Sequence, residues 1–408
     1  MAMKQTQTKL FDFSDVGLDF CVGSKNLFPD RFKKMLSLGY NVQTVSSVAV
    51  AGNQVTFTYG GAHGYVADRV LKADSGPLSL INEGEFWIDS VTMNTVTFTL
   101  DDAPISITGG FTTRIAPLGW SLEYENANTN IHIYKMLHID NTERYARLCF
   151  QNNAMHRNCI AISIGKNFSG LNGQITDSNA LQATASVTSP NIINLPKWDF
   201  SYQPTSAHNN WSYAQGVNTY GKGLIIGSLY HLAMLNKNSS LICQLNAILP
   251  VSTHYETLQY PMILCNSNDK TTGNQGHLGS VLWSGYGGAA YIGNTRFRFD
   301  IATGDNVLEK PIKAYNSLLP PQYDNFDTTT CAPIQLYEYT SAQFMGYCLG
   351  MYFTMFALDA KAPETSEMPR ETRDVDLNSL VFLQDGSGVS QKANATFVAV
   401  PVERVKYA

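Results

Sequence analysis

Gln54-Val-Thr-Phe-Thr-Tyr59 and Thr95-Val-Thr-Phe-Thr-Leu100 carry one pattern at the centre of residues 43–120. Val55, Phe57 and Tyr59 alternate with Thr56 and Thr58, and Val96, Phe98 and Leu100 alternate with Thr97 and Thr99. A strand turns each successive side chain to the opposite face, so this period of two predicts half-buried β-strands. Around them stand Val45-Ser-Ser-Val-Ala-Val50, the turn Gly60-Gly-Ala-His-Gly-Tyr65, Glu85-Phe-Trp-Ile-Asp-Ser-Val91 and Phe111-Thr-Thr-Arg-Ile115. Short strands at close spacing, punctuated by Gly, Asn and Pro, predict a small antiparallel barrel or sandwich. Ala116-Pro-Leu-Gly-Trp120 ends it, because proline and glycine stop strand pairing.

Outward from this module the chain divides into four parts. Residues 1–24 read as an arm, residues 25–42 as a helix and lead-in, residues 43–116 as an inserted β-module and residues 117–408 as a β-rich body. In the helix, Asn26 is placed to cap, Pro29 and Asp30 suit the first turn, and Phe28, Phe32, Met35 and Leu36 form one apolar face before Gly39. Residues 131–137, 145–150, 160–164, 224–230 and 241–249 read as body strands. Residues 167–191 and 362–373 read as surface loops, and residues 344–357 as paired core strands broken by Gly346 and Gly350. Residues 318–324, Leu-Leu-Pro-Pro-Gln-Tyr-Asp, form a connector, and residues 380–384 and 396–400 form a closing pair. The fold class is therefore mainly β: a small inserted antiparallel barrel or sandwich, a larger sandwich-like body and one short N-terminal helix.

The series Val-Thr-Phe-Thr, Gly-Ala-His-Gly-Tyr, Ile-Asp-Ser-Val-Thr and Asn-Thr-Val-Thr-Phe-Thr resembles a β-unit of tailed-bacteriophage virion proteins. Gly119-Trp120 followed by Asn128-Thr-Asn-Ile-His-Ile-Tyr134, and the helix ending Gly39-Tyr40, are similar to the segments flanking that unit. The resemblance covers most of the chain, although its last residues, Val402-Glu-Arg-Val-Lys-Tyr-Ala, depart from it. It implies a structural protein of the tail, baseplate or neck, assembled in the bacterial cytoplasm and residing in the virion.

Composition narrows the partners. Charged residues are 15% of 408, against a usual ~25%, so the surface is polar but weakly charged. Few charges then need desolvation when subunits pack, which suits a homo-oligomer or contacts with other virion proteins. The net charge is −5 with no basic run, which disfavours direct nucleic-acid binding. No segment reaches the ~18 apolar residues of a membrane span, and the first ten residues lack the apolar core of a signal peptide. Seven cysteines at scattered positions predict reduced thiols rather than a disulfide framework.

Chemistry-bearing signals are few. Gly216-Val-Asn-Thr-Tyr-Gly-Lys-Gly223 has the glycines and lysine of a phosphate loop, but Gly223 replaces the hydroxyl residue and strand follows, so a hairpin turn is expected. Cys149, His156 and Cys159 lack zinc spacing and a fourth ligand. His63 reads as a turn residue bonding backbone, and His132 and His138 have no evident carboxylate partner. Glu83 with Glu85 and Asp101 with Asp102 are the carboxylate pairs a glycosidase reading would need across a cleft. Trp198, Tyr202, Trp211, Tyr213 and Tyr220 are aromatic candidates for a carbohydrate surface, with core packing the simpler account. No catalytic, cofactor or metal site is assigned. The function expected is a non-enzymatic structural subunit. The alternative is a glycan-binding protein or depolymerase on the same particle, with a host-surface glycan as partner. Leu10, Phe11, Phe13, Val16, Leu18 and Phe20 are the interface candidates: docked on the chain's own body they are core, docked on a neighbour they tie subunits together.

Overall fold

The computed structural model describes residues 8–18, 25–76, 79–154, 157–189, 195–200, 223–237, 243–255, 258–266, 288–299, 331–354, 369–374, 379–385 and 397–405. Two β units result. The first is a seven-stranded module whose strands run Glu85–Trp87, Val70–Asp74, Thr112–Ile115, Tyr40–Ala51, Gln54–Tyr59, Thr95–Thr99 and Ser90–Val91 in spatial order. All its pairings are antiparallel and internal to the module.

The twelve-residue strand Tyr40–Ala51 makes the module a sandwich. Its start pairs with Thr112–Ile115 and its remainder with Gln54–Tyr59, with register shifts between Tyr40 and Gln43 and between Val45 and Ser47. Each extra residue bends and twists the strand, so one strand serves both layers. Between the layers Phe86 stacks on Phe98 at 4.5 Å, and Phe57 meets Phe98 at 4.9 Å and Phe111 at 5.2 Å. Val55, Phe57 and Tyr59 are buried, whereas on the outer face Thr56 and Thr97 pair across the strands with hydroxyls 3.0 Å apart.

The body is one branched antiparallel network. One limb runs Ser121–Glu125, Ile131–Leu137, Glu143–Phe150, Cys159–Gly165 and Lys197–Asp199. The other begins Lys9–Asp12, Gly223–Gly227, Leu232–Lys237, Cys243–Leu249 and Met262–Asn266, and ends with Phe397–Pro401 paired to Leu380–Asp385. The limbs meet where Lys197 pairs with Asn266.

The arm is part of this body. Lys9–Asp12 adds a strand to Gly223–Gly227, with Leu10 opposite Ile226 and Phe11 opposite Ile225. Its side chains divide between two apolar clusters: Leu10 joins Leu224 and Ile226, while Phe11 and Phe13 join Ile225 and the helix. Leu10, Phe11, Phe13 and Leu18 are therefore buried in the chain's own core, which corrects the expectation that they reach a neighbour. Only Val16 is exposed, at 55%, and Phe20 lies outside the described residues.

The helix departs from regularity at its end. Lys25–Leu27 is a 3₁₀ turn, Phe28–Lys33 is α-helical, and Lys34–Leu38 widens into a π-turn closed by Gly39 N–H donating to the Lys34 carbonyl at 2.8 Å. Leu27 occupies the cap position and no side chain bonds there, so Asn26 does not cap the helix. The widened turn leaves the Met35 and Leu36 carbonyls free to accept from Leu118, Gly119 and Trp120. Helix ends need such outside partners, and the Gly-Trp joint supplies them. Gly39 must be glycine: its φ is +77°, and a Cβ would sit 2.4 Å from the Ile115 carbonyl oxygen.

Three further expectations change. Residues 167–189 are more than a surface loop. They contain the short helix Gln182–Ala185 and bury Ile175, Ala180 and Leu181, because Arg147 donates from inside to the carbonyls of Gly173, Thr184 and Val187. Phe344–Thr354 is one long strand, not a pair, bent at Gly346 and Gly350, whose φ values are positive. Arg370–Arg373, expected in a loop, is a strand paired with Leu380–Asp385. The connector at residues 318–324 lies outside the described residues.

Candidate functional site at the seam of the two units

Where arm, helix and module meet, the chain buries a polar cluster of Asp15, Arg69 and Tyr40. Asp15 follows the arm strand in a tight turn, with Asp12 N–H donating to Asp15 Oδ2 at 3.0 Å. Arg69, just before the module strand Val70–Asp74, grips Asp15 in a bidentate pair, Nε to Oδ2 at 2.9 Å and Nη2 to Oδ1 at 3.0 Å. The Tyr40 hydroxyl donates to the same Oδ2 at 2.7 Å. All three side chains are buried. Burial pushes the Tyr40 hydroxyl well up, and the Asp15 charge adds to it. Burial opposes the Arg69 charge, but the Asp15 carboxylate outweighs it and leaves the guanidinium above its ordinary value. A planar guanidinium matches a carboxylate in two parallel bonds, which fixes orientation as well as proximity.

A second fastening lies on the arm strand. Lys9 Nζ reaches Glu85 Oε2 at 2.7 Å and also donates to the Pro117 carbonyl. Burial holds its ammonium below its ordinary value despite Glu85. Trp120 then anchors the chain leaving the module, its indole Nε1–H donating to the Ser228 carbonyl at 2.8 Å. Around this seam Val16, Leu38, Val42 and Val66 are exposed, and Val16 lies against Gly64, where a Cβ would sit 3.0 Å from its Cγ2.

The histidines flagged in the sequence serve packing. His63 accepts at Nδ1 from Tyr65 N–H (2.9 Å), which directs its Nε2–H to the Thr95 carbonyl at 3.1 Å and makes it a turn residue. His132 and His138 do have carboxylates beside them, contrary to expectation. His132 Nε2 is 3.4 Å from Glu125, within ion-pair reach but not aligned as a hydrogen bond, and Lys33 already neutralises Glu125 at 2.6 Å. Burial holds the His132 imidazolium down. His138 lies just past its strand, Nδ1 3.2 Å from Asp140, with burial and Arg144 both lowering its pKa. The two rings thus stand in separate surroundings and do not form one face.

The other flagged residues do not converge. Cys149 and Cys159 are buried, burial pushing the Cys149 thiol up to about 11, and His156 lies outside the described residues. Glu83 pairs with Lys72 and Glu85 with Lys9, while Asp101 and Asp102 occupy an exposed turn, so neither pair faces across a cleft. Trp198 is fully buried, its Nε1–H donating to the Leu264 carbonyl at 2.8 Å. Tyr202, Trp211, Tyr213, Tyr220 and residues 216–222 of the glycine-lysine segment lie outside the described residues.

Two features leave no local signal in the sequence. The Asp15–Arg69 pair joins residues 54 apart, and nothing local to either marks the other. Ser228 and His231 share a hydrogen bond of 2.7 Å, but both are buried in a hairpin turn where Tyr230 N–H also donates to Ser228 Oγ. Among the described residues no carboxylate bonds that imidazole, and both side chains are buried, so the pair is read as part of the turn. A groove of about 460 Å³ in the module is lined by Ser75, Ser79, Ile81, Ser106, Thr108 and Phe111, among others. No charged side chain lines it, so it offers no acid or base. Comparison with protein-family models, curated proteins and solved structures finds no match to this chain.

Proposed function

We propose that the protein is a non-enzymatic structural subunit of a tailed-bacteriophage particle, in the tail, baseplate or neck, acting through subunit contacts. The observation that carries the reading is the Asp15–Arg69–Tyr40 cluster. Its charges are engaged with one another in fixing the module to the arm, as a scaffold requires and a catalytic group does not. The phage-type sequence pattern and the weakly charged surface support the same reading.

Most of the arm's apolar side chains lie in its own core, so the proposed contact surface is the seam: Val16, the arm residue left exposed, together with Leu38, Val42 and Val66. The test is an averaged image of the purified particle together with its protein content. Density matching the two-unit fold at a repeated position is expected. A particle lacking the chain overturns the reading, as does sustained release of reducing ends when the purified protein is incubated with host surface polysaccharide.

A further inference from the structure

The four exposed aromatic side chains among the described residues gather at one end of the body. Phe344 and Tyr347, on the strand Phe344–Thr354, pack edge to face at 5.3 Å, and Phe344 also meets the buried Tyr337 at 5.8 Å. Gln343 donates from Nε2 to the Tyr255 hydroxyl at 2.7 Å, which ties Tyr255 to the same turn. Tyr347 stands opposite Ser252, three residues before Tyr255. Tyr339 begins the turn that Gln343 ends, closed by Glu338 N–H donating to the Gln343 carbonyl at 2.9 Å. The Arg296 guanidinium lies 4.0 Å over the Tyr339 ring. Tyr255, Tyr339, Phe344 and Tyr347 are between 37% and 44% exposed, so each ring is half embedded and held while part of it faces solvent.

We propose that this cluster is a carbohydrate-binding platform. Aromatic faces are electron-rich, and the C–H groups on one side of a pyranose ring present the matching partial positive charge. Rings already locked by their neighbours lose little further freedom when a sugar stacks on them. The fringe supplies uncharged hydrogen-bonding groups: Thr340, Ser341 and Gln343 are exposed, and the tyrosine hydroxyls stand among them. A polyhydroxylated ligand uses such groups both as donors and as acceptors.

Other occupants fit less well. Rings that bury ~150–250 Å² each when fully covered would offer here about 240–400 Å² in all, well under the ~800 Å² per partner of a stable protein interface. The exposed aliphatic side chains of the described residues all lie between Val16 and Leu229, in other elements, so the patch has no extended apolar core. Stacking of single-stranded nucleic acid needs a basic groove as well as rings. Among the described residues the charged groups placed here are Arg296, already over Tyr339, Arg298, opposite Tyr337, and Glu338, which accepts from Thr340 and Ser341 N–H, and they form no basic groove.

The inference goes beyond the scaffold reading and fails separately from it, since a subunit can hold its place in a particle without binding sugar. Its test uses the full chain with maltoheptaose, chitohexaose and dextran oligosaccharides, read by saturation-transfer NMR and titration calorimetry. At least one saccharide is expected to receive saturation from the aromatic protons. Tyr347→Ser and Phe344→Ser should each weaken its binding tenfold or more, while the remote surface change Leu171→Ser leaves it unaltered. A variant that loses its cooperative melting transition is replaced by Tyr255→Ala. No binding by any of the three saccharides overturns the proposal, and so does binding that survives both serine variants. Binding of an oligothymidylate that the same variants abolish, or self-association that they abolish, also overturns it by assigning the patch to another partner.

Discussion

Arg69 finds its counter-charge on the arm, so its worth depends on a partner supplied from outside the module. Removing one member of a buried pair strands the other, at a cost of about 3–5 kcal/mol, whereas removing both costs far less. Arg69→Met should lower the unfolding free energy by that much, read as a lower midpoint in urea denaturation. Arg69→Met with Asp15→Asn should recover part of the loss, and a double-mutant cycle in urea denaturation measures the coupling. His231 makes the pH prediction. Burial lowers its pKa from 6.5 to about 4, so the unfolded chain takes up the proton first as pH falls. Its contribution is complete above about pH 6.5, is lost as pH falls towards 4, and amounts to about 3 kcal/mol. His231→Asn keeps an acceptor near Ser228 but does not titrate, and should flatten that part of the stability curve between pH 7 and 4.5.

Among the elements, the arm illustrates what a sequence can and cannot convey. Its apolar residues were legible, and their number showed that the segment must dock. Which body it docks on was not, because that depends on the strand Gly223–Gly227, more than 200 residues away, lacking a partner on one edge. The module strands were legible for the opposite reason: Thr/apolar alternation is local and needs no distant information. The buried faces of Leu10, Phe11, Phe13 and Leu18 contribute about 1.5–3 kcal/mol each, which together rivals a whole domain's stability of about 5–15 kcal/mol. Deleting residues 2–22 should therefore abolish the cooperative melting transition rather than merely prevent assembly, a difference that calorimetry of the truncated chain reads directly. Arg147 gives a milder case. Arg147→Lys loses the fork that reaches three carbonyls, at about 1–3 kcal/mol for each buried acceptor left unmade. Limited proteolysis should then cut within residues 167–189 while the rest of the chain stays protected.

For the whole molecule, the seam joins two units that differ in self-sufficiency. The module pairs its strands internally, yet Arg69, Tyr40 and Glu85 all look outward to the arm. The proposed role adds that the exposed seam residues meet a neighbour. Val42→Asp and Val66→Asp sit on the surface and should change stability by no more than about 0.5 kcal/mol. If these residues carry subunit contacts, both variants should shift the sedimentation profile towards monomer at unchanged melting temperature. An unchanged profile would assign assembly to another face. The aromatic platform was hidden for a related reason: Phe344 and Tyr347 sit in a run apolar enough to read as core, and the register shift beside Tyr337 is not written in the local pattern.

Tyr40 and Ile115 are partners in one ladder, so the chain comes into the module and goes out of it side by side. Just beneath them, Leu118, Gly119 and Trp120 are bonded to the last turn of the helix. Tension running along the chain is carried across that joint from helix to body and bypasses the 75 or so residues beyond it. The module then hangs off that path, and a change of length within it leaves the helix-to-body joint in place as long as Arg69, Tyr40 and Glu85 keep their partners on the arm.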